Sequence, residues 1–350
     1  MFEKVRSPRR RDVRPSLDAL EERALLNAAP LHPASHANIT IINKVGGYRF
    51  TNFDGPNAGN IAMAGTTMNG IANSGTAVGF TTANDGTLTN FTANPLKTTR
   101  ARLLNILGST TAMALGINSA GTVVGTDGHG NAFSLNRHGV LKTFIPDGGS
   151  SATAFGINDR VNIVGQYVTS TATPGFILVH GGKSLITINQ PTGVTSDVIN
   201  AQGINNHGLV VGFYLGNDGQ VHGFTASDRA ATNGTLTGTP VADPTIPTIP
   251  GEPGATFMFS QILGINDHGI AVGYFGDSTL SQHGFFYNTN TGKYTFLDDP
   301  NAAFFTNPLS PTGTSEITQI TGITNSGEIT GFYSDANGVF HGFVATTHPA

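Results

Sequence analysis

The chain has 350 residues, enough for a large core, with a net charge of −4 and only 11% charged residues. It has no Cys, which excludes a disulfide scaffold and a thiolate zinc site. No basic block lies in its body, so the electrostatic footprint of nucleic-acid binding is missing.

Residues 1–23 differ from the rest, holding seven of the 18 Lys and Arg. Within "RPSLDALEERALLNAA", Leu17, Leu20 and Ala24 fall at helical spacing, and Ser16 is placed to cap the helix. The segment lacks the apolar core of an ordinary secretory signal. The stretch "SLDALEERALLNA" resembles the LExLExRxLL-type leader of many planctomycete and other large bacterial extracellular proteins, with Asp18 in place of a usual Glu. That resemblance implies export to the cell surface; the bland alternative is a frayed amphipathic tail. Residues 1–37 are read as leader and linker, and 38–350 as one repeat domain. No apolar run approaches the ~20 residues needed to span a bilayer.

From residue 70 onward the chain repeats. A Gly-Ile pair begins at Gly70, Gly116, Gly156, Gly203, Gly264 and Gly322, and another Gly follows nine residues later each time. A Phe then arrives at Phe91, Phe133, Phe176, Phe224, Phe285 and Phe343. "GINxxG" is a turn whose Asn bonds its own backbone and whose last Gly takes positive φ. The third copy has Val161 at that Gly and is expected to be strained or differently closed. A β-branched run such as "LVVGFY" (209–214) reads as a strand, "LGNDGQ" as a second turn, and "HGF" as the opening of a third strand. A fourth strand follows in "LKTFIPD" (141–147), "KSLITIN" (183–189) and "KYTFLDD" (293–299). Four antiparallel strands per unit are the size of a propeller blade.

The sixth copy stops at "HGFVATTHPA" without a fourth strand, while "YRFTNFDGPNA" (48–58) looks like "KYTFLDDPNA" (293–302). The N-terminal strand would complete the last blade and remove exposed edges. The expected fold is therefore an all-β six-bladed β-propeller. The alternative is a β-solenoid or linear array, which would call for capping repeats. The Pro-rich segment 237–255 reads as a surface insertion.

These turns, with the Val-Gly pair and His-Gly-Phe, resemble the bacterial extracellular HAF-type repeats, named for a His-Ala-Phe at the third-strand position. His222-Gly223-Phe224, His283-Gly284-Phe285 and His341-Gly342-Phe343 carry the motif with Gly for Ala. The second copy keeps Ala but has Asn131, the third has Pro174, and the first retains only Phe91. The resemblance covers about 45–346 and implies a secreted or surface β-repeat protein. It brings no assigned reaction and no catalytic residue.

In a strand, residues two apart share a face, so each His of the motif points with its Phe. The first expectation is a fastener between blades, with His bonding a neighbouring backbone or carboxylate. A ligand contact is the alternative. Three His on separate blades are not expected to converge on one metal. The second-turn face collects Asp54, Asp218, Asp277, Asp298, Asp299 and Asp335, with Tyr214, Tyr274 and Tyr333, one per unit in the last three units. Tyr faces beside carboxylates suit a sugar, which makes Tyr214, Tyr274, Tyr333, Asp218, Asp277 and Asp335 the candidate ligand site. Asp298 and Asp299, adjacent in a strand, point opposite ways and make a poor acid/base couple. His207 and His268 read as solvated turn residues. No cofactor is expected; Ca²⁺ in the Asp- and Asn-rich loops is the one alternative. There is no G-x-S-x-G elbow and no P-loop. The expected function is that of an exported, monomeric scaffold whose loop face binds a glycan or a protein. An extracellular glycan hydrolase or lyase is the second reading. Features confined to one unit, such as Arg100, Arg102, Arg160 and the 237–255 insertion, mark where a unique site would lie.

Overall fold

A computed structural model describes residues 39–45, 47–98, 100–249 and 251–347; the expected leader lies outside them. The described residues form 28 strands and one short 3-10 turn, Asp228–Ala230, with no α-helix among them. No helix there is long and apolar enough to cross a membrane.

Each Gly-Ile copy ends the first strand of an antiparallel sheet. In the fourth unit Ile199–Ile204, Leu209–Leu215, Val221–Ser227 and the short Thr239–Pro240 lie side by side in chain order. The same order recurs over 65–103, 113–144, 151–189 and 257–296, the first, second, third and fifth units. The sixth supplies Thr318–Ile323, Ile329–Ser334 and Phe340–Thr347. Its fourth strand comes from the other end of the chain: Tyr48–Phe53 pairs antiparallel with Phe340–Thr347, Tyr48 opposite Thr347 and Phe53 opposite Gly342. Ile39–Val45 adds a further strand outside it, which the repeat pattern did not announce. Repeated four-stranded antiparallel sheets packed face to face are β-propeller architecture.

The repeat residues explain the sheet geometry. The Gly nine residues after each Gly-Ile lies opposite the Phe of the third strand: Gly212 faces Phe224, and Gly331 faces Phe343. A Cβ on Gly212 would stand 2.7 Å from the Phe224 ring, and one on Gly331 2.7 Å from the Phe343 ring. The carbonyls of Asn200 and Gln319 on the facing strand would stand nearer still, so the missing side chain makes room for both backbone and ring. All six Phe side chains are fully buried. Opposite each such Gly the first strand carries a bulge, as between Ala201 and Gly203, which bends the strand and tightens its twist.

The apolar core is shared between sheets rather than enclosed within them. Val164, Ile177 and Ile188 of the third unit pack with Ile199, Tyr214 and Phe224 of the fourth. Val211 of the fourth packs with Ile262, Phe275 and Phe285 of the fifth. Val272 and Leu297 of the fifth pack with Ile320 and Phe343 of the sixth, and Phe53 and Val344 of the sixth with Met68 and Phe91 of the first. A single sheet has two apolar faces and nothing of its own to cover them.

The 237–255 segment departs from the expected surface insertion. Its start supplies the outer strand Thr239–Pro240, where Pro is tolerated because no further strand pairs beyond it. Val241, Ile249 and Glu252 are buried. The segment fills space between the fourth and fifth units.

Candidate functional site

The first-turn face is structural. Each Asn of "GIN" works twice: Asn205 accepts the N–H groups of His207 and Leu209 through Oδ1, both at 3.0 Å, closing its own turn. Its Nδ2 donates to the Asn266 carbonyl of the next unit at 3.1 Å. Asn118, Asn158 and Asn266 make the same reach to Asn158, Asn205 and Thr324. One residue on, the backbone N–H of Asp159 meets Asn206, that of Asn206 meets Asp267, that of Asp267 meets Asn325 and that of Asn325 meets Asn73. These turns surround a cavity of about 60 Å³, far below the 300–1,000 Å³ of a typical ligand pocket. Its polar groups are occupied in joining units. His207 and His268 are exposed on these turns, as expected.

The second-turn face holds the His of the repeat. In the last three units each imidazole is bonded by carboxylates. His222 Nδ1 meets Asp243 Oδ2 at 2.7 Å and Nε2 meets Asp218. His341 Nδ1 meets Asp54 at 2.8 Å, with Asp335 at 3.6 Å from Nε2. His283 Nδ1 meets Asp298 at 2.9 Å. The His-carboxylate bond anticipated from strand geometry is present, and the three His stay in separate sheets. Asp298 also accepts the Gly284 N–H, holding the strand beside it.

The Tyr rings are not where a sugar platform requires them. Tyr214, Tyr274 and Tyr333 are only 7%, 5% and 6% exposed. Tyr214 and Tyr333 lie against the imidazoles of His222 and His341, at ring separations of 5.6 and 5.3 Å. In the fifth unit Phe275, not Tyr274, takes that place against His283. The order Phe-Tyr of the other two units is reversed there, so Tyr274 points away from the imidazole. The Asp residues are not equivalent either. Asp277 and Asp335 open their turns, where the fourth unit has Gly216; Asp218 sits two residues further along. Arg100, Arg102 and Arg160 are exposed.

The fifth unit differs from its neighbours in one addition. Glu252, carried on the 237–255 segment, reaches His283 Nε2 at 3.2 Å. Asp277 Oδ2 lies 3.9 Å from the same nitrogen. Glu252, Asp277 and His283 are all buried, and their ligand-type atoms lie within 4.8 Å of one another. One oxygen of each carboxylate is held by donors: Asp277 Oδ1 accepts the N–H groups of Thr279 and Ser281, Glu252 Oε1 accepts the Ser281 hydroxyl, and the Thr279 hydroxyl, with one proton, lies within reach of both acids. The other oxygens face the imidazole. Burial alone would strip the His283 proton, but the hydrogen bonds and charges of Asp298 and Glu252 outweigh it and hold the imidazolium up to about 10. Burial opposes the Glu252 charge, yet bonds from His283, Ser281, Asp277 and Thr279 bring it down to about 2. Asp277 is raised, by burial and then by the adjacent Glu252. Glu316 is pushed to about 7 by burial and then by the Asp298 charge. The break in the repeat marked the 237–255 insertion as a place for a unique site, but nothing in the pattern singled out Glu252 within it.

No family model matches the chain, and no curated protein matches it. Among solved structures it is similar to a gluconolactonase from Xanthomonas campestris, with a TM-score of 0.46 and 11% identity over 90% of this chain and 98% of that one. A streptogramin B lyase gives 0.43 and 13%, covering 85% and 97%. The Aleuria aurantia lectin gives 0.39 and 10%, covering 91% and 99%. These proteins differ from one another in what they do, so function is read from the residues themselves.

Proposed function

We propose that this chain is an exported, monomeric six-bladed β-propeller of HAF-type repeats, closed by its N-terminal strand, that serves as a binding scaffold for a protein partner. Closure is supported by two returning patterns. The Gly of each first strand abuts the next one round, and Gly322 abuts Gly70. Apolar clusters bridge successive units, the sixth to the first included.

The observation that carries the binding reading is Leu280. It occupies the turn position filled by Gly219 and Gly338 in the adjacent units and shares their left-handed backbone, with φ of 64°. A Leu there is strained by about 1–3 kcal/mol, and its side chain is 43% exposed, so packing does not offset the cost. Nearby loops present Leu309, 77% exposed, and Phe304, 38% exposed. Ser310 ties the first of these loops to Thr279 beside Leu280, and Phe304 lies over Gly251. All are confined to the fifth and sixth units, away from residues that every sheet needs. Exposed apolar side chains on neighbouring loops, one of them held on a strained backbone, suit a protein surface. Burial of the Tyr rings leaves a glycan with little aromatic support.

The test compares the native chain with Leu280→Gly and Leu309→Ser in co-purification from the extracellular fraction of the source cells, alongside a glycan array. A partner retained by the native chain and lost by both variants, with Leu280→Gly more stable than native, supports the reading. Glycan binding indifferent to these substitutions, or no partner for the native chain, overturns it.

A further inference from the structure

The geometry points to a divalent metal site of zinc type at Glu252, Asp277 and His283, which clamps the 237–255 segment onto the fifth sheet. It stands apart from the partner-binding reading. Three observations carry it.

The ligand atoms converge. His283 Nε2 stands 3.2 Å from Glu252 Oε2 and 3.9 Å from Asp277 Oδ2. Bonds of about 2.0–2.2 Å in a tetrahedron set ligand atoms roughly 3.3 Å apart, so these separations bracket one ion's shell. One nitrogen and two carboxylate oxygens suit zinc better than calcium, which takes oxygen alone.

One of those atoms has no donor bonded to it and faces the second carboxylate. Asp277 Oδ2 is buried and accepts no hydrogen bond, and the Asp277 side chain is 0% exposed. An unsatisfied buried carboxylate oxygen is costly. It is aimed at the same point as Glu252 Oε2 and His283 Nε2.

The surroundings are those of a metal ligand set. Asp298 holds His283 at Nδ1, fixing the ring so that Nε2 faces Glu252 and Asp277, which is how ligating imidazoles are oriented. Hydroxyl and backbone donors hold the remaining oxygens of both acids, as described above. The fourth and sixth units have the His and its Nδ1 carboxylate but no counterpart of Glu252. With zinc bound, a neutral imidazole and two carboxylates balance the ion. The bound ion would tie three separate pieces together: the segment through Glu252, the second turn through Asp277 and the third strand through His283.

The experiment strips the full chain with a chelator and titrates Zn²⁺, with Mn²⁺ and Ca²⁺ in parallel, reading stoichiometry by equilibrium dialysis and Tm by calorimetry. One zinc per chain and a Tm rise of several degrees are expected. Asp277→Asn and Glu252→Gln should each weaken uptake at least tenfold, Asp298→Asn about 10–100-fold, and Asp335→Asn in the sixth unit not at all. Should a variant fail to fold, imidazole nitrogen NMR of the native chain decides. Zinc must move the Nε2 resonance of His283. An unmoved resonance, no uptake at millimolar zinc, or uptake surviving both ligand substitutions overturns the assignment. A proton shared by Asp277 and Glu252 then fills the gap.

Discussion

At the scale of single residues, backbone strain and buried charge are the levers. Val161 stands where five other turns have Gly, and it keeps their left-handed backbone, with φ of 60°. β-Branching makes that conformation costly. Unlike Leu280, it sits on the first-turn face, where nothing suggests a use for it. Val161→Gly should therefore stabilise the protein by about 1 kcal/mol, even after the extra chain entropy of Gly. An unchanged urea midpoint would sink that account. The His283 cluster sets the pH response of the metal-free protein. His283 is raised from about 6.5 to about 10, so its contribution is complete below pH ~6.5 and is lost as pH rises through about 10. Asp299 and Glu316, both raised to about 7, likewise contribute below pH ~4 and lose that contribution as pH rises through about 7. Glu252 is lowered to about 2, so its share is present above pH ~4.5 and lost toward pH 2. Stability should peak on the acid side of neutrality and decline steadily to pH 10. Urea midpoints across pH 3–10 measure this; in His283→Gln, less stable throughout, the segment between pH 7 and 10 should flatten.

At the scale of the element, the strand-turn-strand hairpin is governed by a Gly, a Phe and an Asn. At Gly212 and Gly331 even one methyl group would collide with the carbonyl of the facing strand, Asn200 or Gln319, as well as with the fully buried Phe224 or Phe343 ring. Gly331→Ala should cost about 1–3 kcal/mol through overpacking, whereas Gly219→Ala, with open space around its Cβ, strains only its own turn. Equal losses would show that backbone conformation, not crowding, requires Gly331. Asn205→Ala removes the closure of one turn and the bond to Asn266 in the next unit. A loss of about 1–3 kcal/mol is expected, and hydrogen exchange should quicken on both sides of the joint. Exchange confined to the fourth unit would contradict the bridging role.

At the scale of the whole molecule, no sheet is self-sufficient. The sixth is assembled from both ends of the chain, with Phe50 and Phe53 of the N-terminal strand at 1% and 0% exposure against the sixth and first sheets. Each buried Phe is worth about 1.5–3 kcal/mol. Deleting residues 39–53 should therefore remove at least ~3–6 kcal/mol and broaden the urea transition. A truncated chain as stable and cooperative as the native one would show that the strand decorates the fold without completing it.

The regular part of this architecture was legible in the residues because it is repeated. Gly, Phe and Asn recur at fixed spacing, each filling a steric or hydrogen-bonding role that one hairpin defines and every other copies. Period-two strands and Asn-Gly turns are local, so their order, the two faces and the N-terminal strand could be read directly. The candidate site was legible only in part: Asp277, His283 and the 237–255 insertion stood out separately, but their convergence depends on contacts between segments with no pattern in common. Glu252 lies 31 residues from His283, in the segment that breaks the repeat, and only tertiary packing places it beside that imidazole. The Tyr residues failed as a platform for a related reason. Sequence gives the alternation of a strand's faces, but the neighbouring sheet decides whether a face meets solvent. Local chemistry determined the hairpin; the packing of sheet against sheet decided which side chains were left to do anything else.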